Sequence, residues 1–513
     1  MLINIYSAKC IGIEAERVTV EVDINAGIGI HLVGLADAAV KESLLRTMTA
    51  LASLGFKIPG KKIVINLAPA DVHKRGSGYD VPIALGIVAA SGQIEMPEID
   101  KYIIMGELGL DGSIRPVPGA LPIAELAERE GFLGCILPED SALEAADFSK
   151  RRVFGVKNLL EVIKIVCAEE DPSEYLVVNY AKKREDVQES QDYVLDFSEI
   201  KGQKGAKRGL EIAASGGHNA IMVGVPGCGK SSLAKAMAGI LPPMTLEESI
   251  QTSKIYSVSG NMRQGYGLIR QRPFRAPHYT SSVTALLGGG SENILPGEVS
   301  LAHNGILFAD EFCEAPKRMI EALRAPMEDR KVVISRLRTK VEYPASFMLV
   351  AATNPCPCGY YGEGQRCTCA PGKREAYLSK LSGPLMDRID LHLWLHPVDA
   401  KQLIGKEPEE TSAEVARRVL QARKIQEERF KDDGITVNAQ MQNRHIDKYC
   451  PLSPECREHL EKLMSRMGLS ARACSRILKI SRTIADLSGE ENIRLEHILE
   501  AAGYRFLDKQ SIF

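Results

Sequence analysis

An α/β fold with a parallel sheet flanked by helices is what the 513-residue sequence predicts, and three stretches carry that expectation. The first is Asn219–Leu233, NAIMVGVPGCGKSSL, in which a strand-like apolar run, a glycine-rich loop and a helix start follow one another directly. Gly224, Gly227 and Gly229 let the backbone curl so that its N–H groups face phosphate oxygens, Lys230 reaches β- and γ-phosphates, and Ser231 offers a hydroxyl to magnesium. The second is Gly305–Glu311, an apolar strand ending in two carboxylates. Asp310 suits the magnesium shell, and Glu311 suits orienting and polarising an attacking water. The third is Phe347–Thr353, a strand that delivers Asn354 to its end, where an amide can bond that water or the γ-phosphate as a sensor. ATP and Mg2+ are therefore the expected ligands, and hydrolysis the expected chemistry.

The remaining elements follow in chain order. Over 1–167, β-rich runs (Arg17–Ile24, Lys62–Leu67, Ile103–Leu108) alternate with helix-like segments (Ala36–Leu54, Leu121–Glu130), which predicts a mixed α/β domain. The polar segment 168–193 reads as a linker with at most one strand. The nucleotide-binding core is expected over 194–397. Beyond it, Thr411–Phe430, Pro454–Met467, Ala471–Leu487 and Arg494–Leu507 keep helical periodicity, so 398–513 is expected to be a helical lid. Between the paired carboxylates and Asn354, the segment Lys331–Tyr343 alternates apolar and polar residues and turns back, as a β-hairpin does. Its tip would gather Arg336, Arg338 and Lys340. A second basic group, Arg270, Arg272, Arg275 and His278, precedes the carboxylate strand. Both groups are candidate DNA contacts, with salt bridges between subunits as the alternative.

Composition bounds the rest. With 45% hydrophobic and 25% charged residues the chain reads as ordinary globular protein, long enough for about three domains. A net charge of -2 excludes a globally basic nucleic-acid binder, so any DNA contact must be a local patch. No secretory signal opens the sequence and the longest apolar stretch, near Val81–Ala90, is too short to span a bilayer, so a cytoplasmic location without membrane contact is expected. Twelve cysteines over this length make no disulfide framework. Four of them, Cys356, Cys358, Cys367 and Cys369, form C-x-C-x8-C-x-C within the loop 356–369, a thiolate set that satisfies tetrahedral zinc; reduced free thiols or an Fe–S cluster remain alternatives. Cys228, inside the phosphate loop, is expected to be inert.

The stretches GVPGCGKSS, RPFRAPHYTSS, GGGSENILPGEVSLAHNGILFADE, NPCPCGYYG, LSGPLMDRIDLH and SARACSRILKISRTIADL, with GLADAAVKES and GYDVPIALGIVAASGQI nearer the start, resemble the AAA+ ATPases of the magnesium-chelatase-like family, in its YifB/ComM group. The resemblance covers nearly the whole chain. It implies an AAA+ P-loop core with a helical lid, and a homo-hexamer with ATP between neighbours. It also implies that Arg388 in MDRID is the arginine finger given across the interface and Arg472 in SARAC the lid arginine that senses the γ-phosphate, with Arg476 in reserve. The hairpin would project into a central pore. Within the group the implied work is branch migration of single-stranded or branched DNA during natural transformation. A porphyrin-metallation motor and a protein-remodelling ring are the alternatives, although the family's chelatase motor subunits lack both the N-terminal domain and the cysteine loop. The first domain resembles Lon-type protease domains, which use a serine and lysine pair. Asp80 stands where the serine would be, no lysine lies between Lys101 and Lys150, and Ser77 nearby lacks an activator. A catalytically degenerate platform for a protein partner or for substrate guidance is the expectation.

Overall fold

The computed structural model describes residues 2–34, 38–70, 74, 76–145, 152–168, 171–177, 195–262, 267–290, 294–336, 340–362, 366–398 and 409–508. The chain divides into two compact units, and the division does not follow linear order. One unit holds Met1–Ser190, Thr245–Arg270 and Ser335–Tyr343, and the other Gln191–Met244, Gln271–Ile334 and Pro344–Phe513. Among the described residues no helix is long and apolar enough to cross a membrane.

The first unit is built on a seven-stranded mixed sheet. Its strands are β1 (Leu2–Ile11), β2 (Glu14–Asn25), β3 (Gly29–Val33), β4 (Lys62–Ala68), β5 (Tyr102–Ile104), β8 (Gly134–Pro138) and β9 (Arg152–Val156), in the order β3-β4-β2-β1-β5-β8-β9; β6 (Glu107–Leu108) and β7 (Ile114–Arg115) form a separate short ladder. Strict alternation along β2 and β4 turns Val18, Val20, Val22, Ile63, Ile65 and Leu67 to the same buried layer, each contributing about 1.5–3 kcal/mol of apolar burial. The helix Asp80–Ala90 lies in that layer, buried from Asp80 to Ala89 and apolar after its first residue. It presses so close that a Cβ on Gly86 would meet Val22 Cγ2 at 2.4 Å.

Two segments from the middle of the chain complete this unit. Thr245 and Glu248 form a capping box that starts the helix Leu246–Ser259. Its far end meets the helix Ala120–Arg129: Gly119 N donates to Ser257 O at 3.0 Å, and Ser257 Oγ donates to Glu144 Oε2 at 2.6 Å. Buried Lys254 pairs with Glu14 at 3.3 Å and with Glu125. The second segment is Ser335–Tyr343, which takes in most of β16 (Lys340–Pro344); with β15 (Lys331–Ser335) this strand makes the two-stranded sheet of the predicted hairpin. Val341 and Glu342 of β16 lie against the β1–β2 turn, where a Cβ on Gly12 would meet Glu342 O at 3.0 Å.

The second unit carries a five-stranded parallel sheet in the order β11-β14-β17-β10-β18, from β10 (Ala220–Gly224), β11 (Phe274–Arg275), β14 (Ile306–Ala309), β17 (Met348–Thr353) and β18 (Leu391–Leu395); β12 (Gly288–Gly289) and β13 (Leu295–Pro296) pair outside it. Its strands are short and mostly apolar, as parallel strands covered on both faces are. Helices predicted from periodicity appear at Ser412–Arg429, Pro454–Met467, Ala471–Leu487 and Leu495–Gly503, and a shorter one at Asn443–Tyr449 was not foreseen. They do not stand apart from the parallel sheet and its flanking helices: Val415, Val419, Ile477, Ile480 and Ile484 share one apolar cluster with Leu210, Ile212, Met222 and Leu233. Arg423 donates to Ala214 O at 2.8 Å and Gln426 to Ser215 O at 3.0 Å, which secures the helices to Lys204–Gly216, the helix before β10.

Candidate nucleotide site and cysteine cluster

The phosphate loop leaves the C-terminal end of β10 and runs into the helix Lys230–Ala238. Gly227 and Gly229 have φ of 79° and 92°, the left-handed region that glycine enters freely. A Cβ built on either meets nothing within 4 Å, so the loop borders open space at a helix start, which is what a phosphate chain requires. Gly224 is glycine for the opposite reason, since a Cβ there would lie 2.7 Å from Cys228 Sγ and 2.9 Å from Leu395. Cys228 is buried, and burial pushes its thiol up, as an inert packing residue requires.

Strand order brings the three predicted motifs together. Because β17 lies between β10 and β14, Asn354 emerges between the phosphate loop and the paired carboxylates. Lys230 Nζ donates to Gly224 O at 2.6 Å, Val225 O at 3.0 Å and Asn354 Oδ1 at 3.2 Å. Ser231 Oγ donates to Asp310 Oδ2 at 2.8 Å, so the two groups expected to share a magnesium ion already face one another. Glu311 is exposed beside them with φ of 48°, a left-handed conformation that costs a non-glycine residue about 1 kcal/mol or more. Its N–H donates to Asp310 Oδ1 at 2.9 Å, which holds the turn.

Arg388 and Arg472 sit elsewhere. The register pairs Ala220 with Leu391, so the residues before Leu391 lie at the N-terminal edge of the sheet. Asn219 Nδ2 donates to Arg388 O at 2.9 Å, and five strand residues separate that edge from the phosphate loop. At 3.3 Å per residue the separation is about 17 Å. Arg388 Nη1 donates to Pro384 O at 2.6 Å, Nη2 pairs with Glu328, and Nε is buried without a hydrogen-bond partner. Arg472, with its side chain 74% exposed, pairs with Asp387 at 3.1 Å on the same edge. Arg476 instead pairs at 2.7 Å with buried Asp390, which also takes a 3.2 Å bond with His218. Burial pushes the Asp390 carboxyl up, but Arg476 and His218 outweigh it and hold it well below the usual carboxylate range. Arg476 is thus committed internally, whereas Arg472 faces outward.

The basic candidates divide. Arg272 donates to Pro242 O at 2.6 Å, Asn304 O at 2.7 Å and Pro243 O at 3.3 Å, and Arg275 forks onto Glu298 with two bonds of 2.7 Å. Both guanidinium groups hold loops of the fold. Arg336, Lys340, Arg270 and His278 are exposed, and Arg338 lies outside the described residues.

The Sγ atoms of Cys356, Cys358, Cys367 and Cys369 all lie within 4.8 Å of one another. Sulfurs placed 2.3 Å from a central zinc in a tetrahedron stand about 3.8 Å apart. Three of the separations here are 3.3, 3.8 and 3.7 Å. The donor set therefore fits zinc. Cys358 is drawn down to about 6, chiefly by the Tyr360 backbone N–H, while burial pushes Cys356 up to about 12.

In the first unit, Asp80 is fully buried and engaged by Arg46 at 3.0 and 3.3 Å and by Leu108 N at 3.2 Å. The residue that the sequence resemblance sets against the protease serine is thus held in a buried ion pair. Ser77 bonds a carboxylate, Glu107, and no lysine reaches it among the described residues.

Three family models match: magnesium chelatase subunit ChlI over residues 196–403, subunit ChlI of Mg-chelatase over 20–141, and the ChlI C-terminal model over 409–505. The chain is 41% identical over 504 residues to competence protein ComM of Haemophilus influenzae, an alignment covering 98% of this chain and 97% of that protein. It is 40% identical over 510 residues to YifB of Escherichia coli K12, with the same coverage. A stretch of 144 residues, 28% of this chain and 22% of the relative, is 24% identical to the archaeal Lon protease of Methanocaldococcus jannaschii. The chain belongs to the magnesium-chelatase-like AAA+ family, in its YifB/ComM group.

Proposed function

We propose that this protein is an ATP-hydrolysing motor that works as a ring of six in the cytoplasm and acts on single-stranded or branched DNA as a branch-migration helicase. The observation that carries the ring is the edge on which Arg388 and Arg472 lie. That edge lies about 17 Å along the strand from the phosphate loop of the same chain, farther than a guanidinium extends, which supports contact of these arginines with a neighbour's phosphate.

In that composite site one subunit supplies the phosphate loop, with Lys230 moving from the carbonyls of Gly224 and Val225 to the phosphates. Magnesium, held by Ser231 and Asp310, would neutralise the β- and γ-oxygens. Glu311 polarises the water, Asn354 orients it, and Arg388 of the neighbour forks onto the γ-phosphate once its guanidinium leaves Glu328.

DNA is supported by the exposed cations of the hairpin. Six copies of Arg336, Arg338 and Lys340 would line a channel with up to about eighteen positive charges, enough to grip a phosphate backbone. Arg272 and Arg275, already spent on the fold, are left out of that channel. Zinc bound by the four cysteines is assigned a structural role, and the first unit that of a protein-docking platform. ATPase rate measured with and without single-stranded, forked and duplex DNA tests the reading. Stimulation by forked or single-stranded DNA is expected; absence of both stimulation and binding would favour a protein-remodelling ring.

A further inference from the structure

The cysteine loop does not hang free of the phosphate loop. Cys356 follows sensor Asn354 by two residues, and Gly359 N donates back to Cys356 O at 2.9 Å, which closes a tight turn around the first two thiols. Gly359 is buried with φ of 85°, and a Cβ on it would meet both Cδ and Cγ of Pro226 at 2.9 Å and Asn354 Cγ at 3.9 Å. Pro226 is the residue before Gly227 in the phosphate loop. The turn that carries Cys356 and Cys358 is therefore seated on the phosphate loop by backbone against ring, with no side chain between them. Farther along, a Cβ on Gly362 would lie 3.6 Å from Trp394, the only tryptophan of the chain, and Trp394 is paired in register with Val223 of β10.

We propose that the four-cysteine loop is a metal-dependent strut for the phosphate loop, so that zinc occupancy sets nucleotide affinity. The inference rests on the zinc reading above and extends it from a local staple to control of the nucleotide site. Four thiolates fixed on one ion hold the 356–359 turn in a single shape. That turn limits the conformations open to Val225–Gly229 and keeps Asn354 against Lys230. Without the ion the four sulfurs lose their common cross-link, the turn loosens, and the phosphate loop must be ordered at the expense of binding energy. No zinc chemistry is involved, since four protein ligands leave no open coordination position.

The test uses the full-length protein under reducing conditions with magnesium present throughout. Zinc content, Trp394 emission and the Kd for a fluorescent ATP analogue are measured before and after a chelator that takes zinc in preference to magnesium. Loss of about one zinc per chain is expected to shift Trp394 emission and to weaken nucleotide binding roughly tenfold, with recovery on adding zinc back. A Gly359→Ala variant probes the contact with all four thiols intact; it should keep its zinc and still bind nucleotide more weakly. Zinc that leaves while the Kd stays unchanged, in a protein whose circular dichroism is also unchanged, would overturn the strut and leave the zinc site standing. A protein that neither carries zinc nor takes it up would overturn the zinc reading itself.

Discussion

If Arg388 serves a neighbour, two inactive proteins should repair one another. Glu311→Gln removes the group that polarises water, and Arg388→Ala removes the finger, each lowering hydrolysis by about 10³ or more. In rings assembled from equal amounts of the two, a given interface joins an intact Glu311 to an intact Arg388 in about one case in four, so the mixture should recover about a quarter of wild-type activity, roughly a hundredfold or more above either parent. The separation between Arg388 and its own phosphate loop makes the expectation sharp, because a finger acting within its own subunit would leave every subunit of the mixture defective. Subunits carrying two different tags are co-assembled, rings containing both are captured through each tag in turn, and phosphate release is followed at saturating ATP. Captured mixed rings that hydrolyse no faster than the parents would refute the composite site.

The ion pair beneath that edge gives a stability test. Asp390→Asn leaves Arg476 without its carboxylate, and Lys479 and Arg330 also feel that charge, so unfolding free energy should fall by about 3–5 kcal/mol in a urea titration; a change below about 1 kcal/mol would show the pair to be dispensable. Its folded pKa lies below the unfolded value, so the contribution is present at neutral pH and fades as pH falls below about 4, an acid limb the variant should lack. Glu144 behaves oppositely: burial pushes it from 4.5 up to about 7, with the Ser257 hydroxyl opposing, so its folded pKa exceeds the unfolded one and stability declines as pH rises through that window. Glu144→Gln should flatten the thermal melting point over about pH 5–8, and an unchanged profile would remove Glu144 from the account. Arg336→Ala/Lys340→Ala should leave rings and basal hydrolysis intact while making the salt dependence of single-strand binding shallower by about two in slope; rings that dissociate, with remaining DNA binding of unaltered slope, would place these cations at the subunit interface.

How much of this was legible in the sequence depends on whether the signal was local. The glycine-rich turn before Lys230, the carboxylates after Ala309, the strand that ends at Asn354, the hairpin and four of the C-terminal helices are each set by residues within a few positions of one another, and these elements appear where periodicity and turn chemistry put them. Arg388 was legible as a residue but its edge of the sheet was not, because that follows from the pairing of Ala220 with Leu391 across 171 positions. Arg272 and Arg275 read as free charge since a sequence displays a cation without its partner; here the partners are carbonyls and Glu298. The strand Leu2–Ile11 escaped notice because Ser7 and Ala8 are both buried, which blurs the alternation that marks a half-exposed strand. Asn219 looked like a mere lead-in to the motif, yet it clamps both Arg388 O and Leu349 N.

The chain passes between its two compact units five times, at residues 190–191, 244–245, 270–271, 334–335 and 343–344. A deletion ending near residue 190 would therefore not free a smaller motor from an accessory. It would strip Leu246–Ser259 of its partners at Gly119, Glu144 and Glu14, stranding buried Lys254 and Val258 in water. Aggregation of such a truncate would report missing upholstery and not a missing function. Loss-of-function experiments on the first unit accordingly call for point changes on its outer surface, with every crossing left in place.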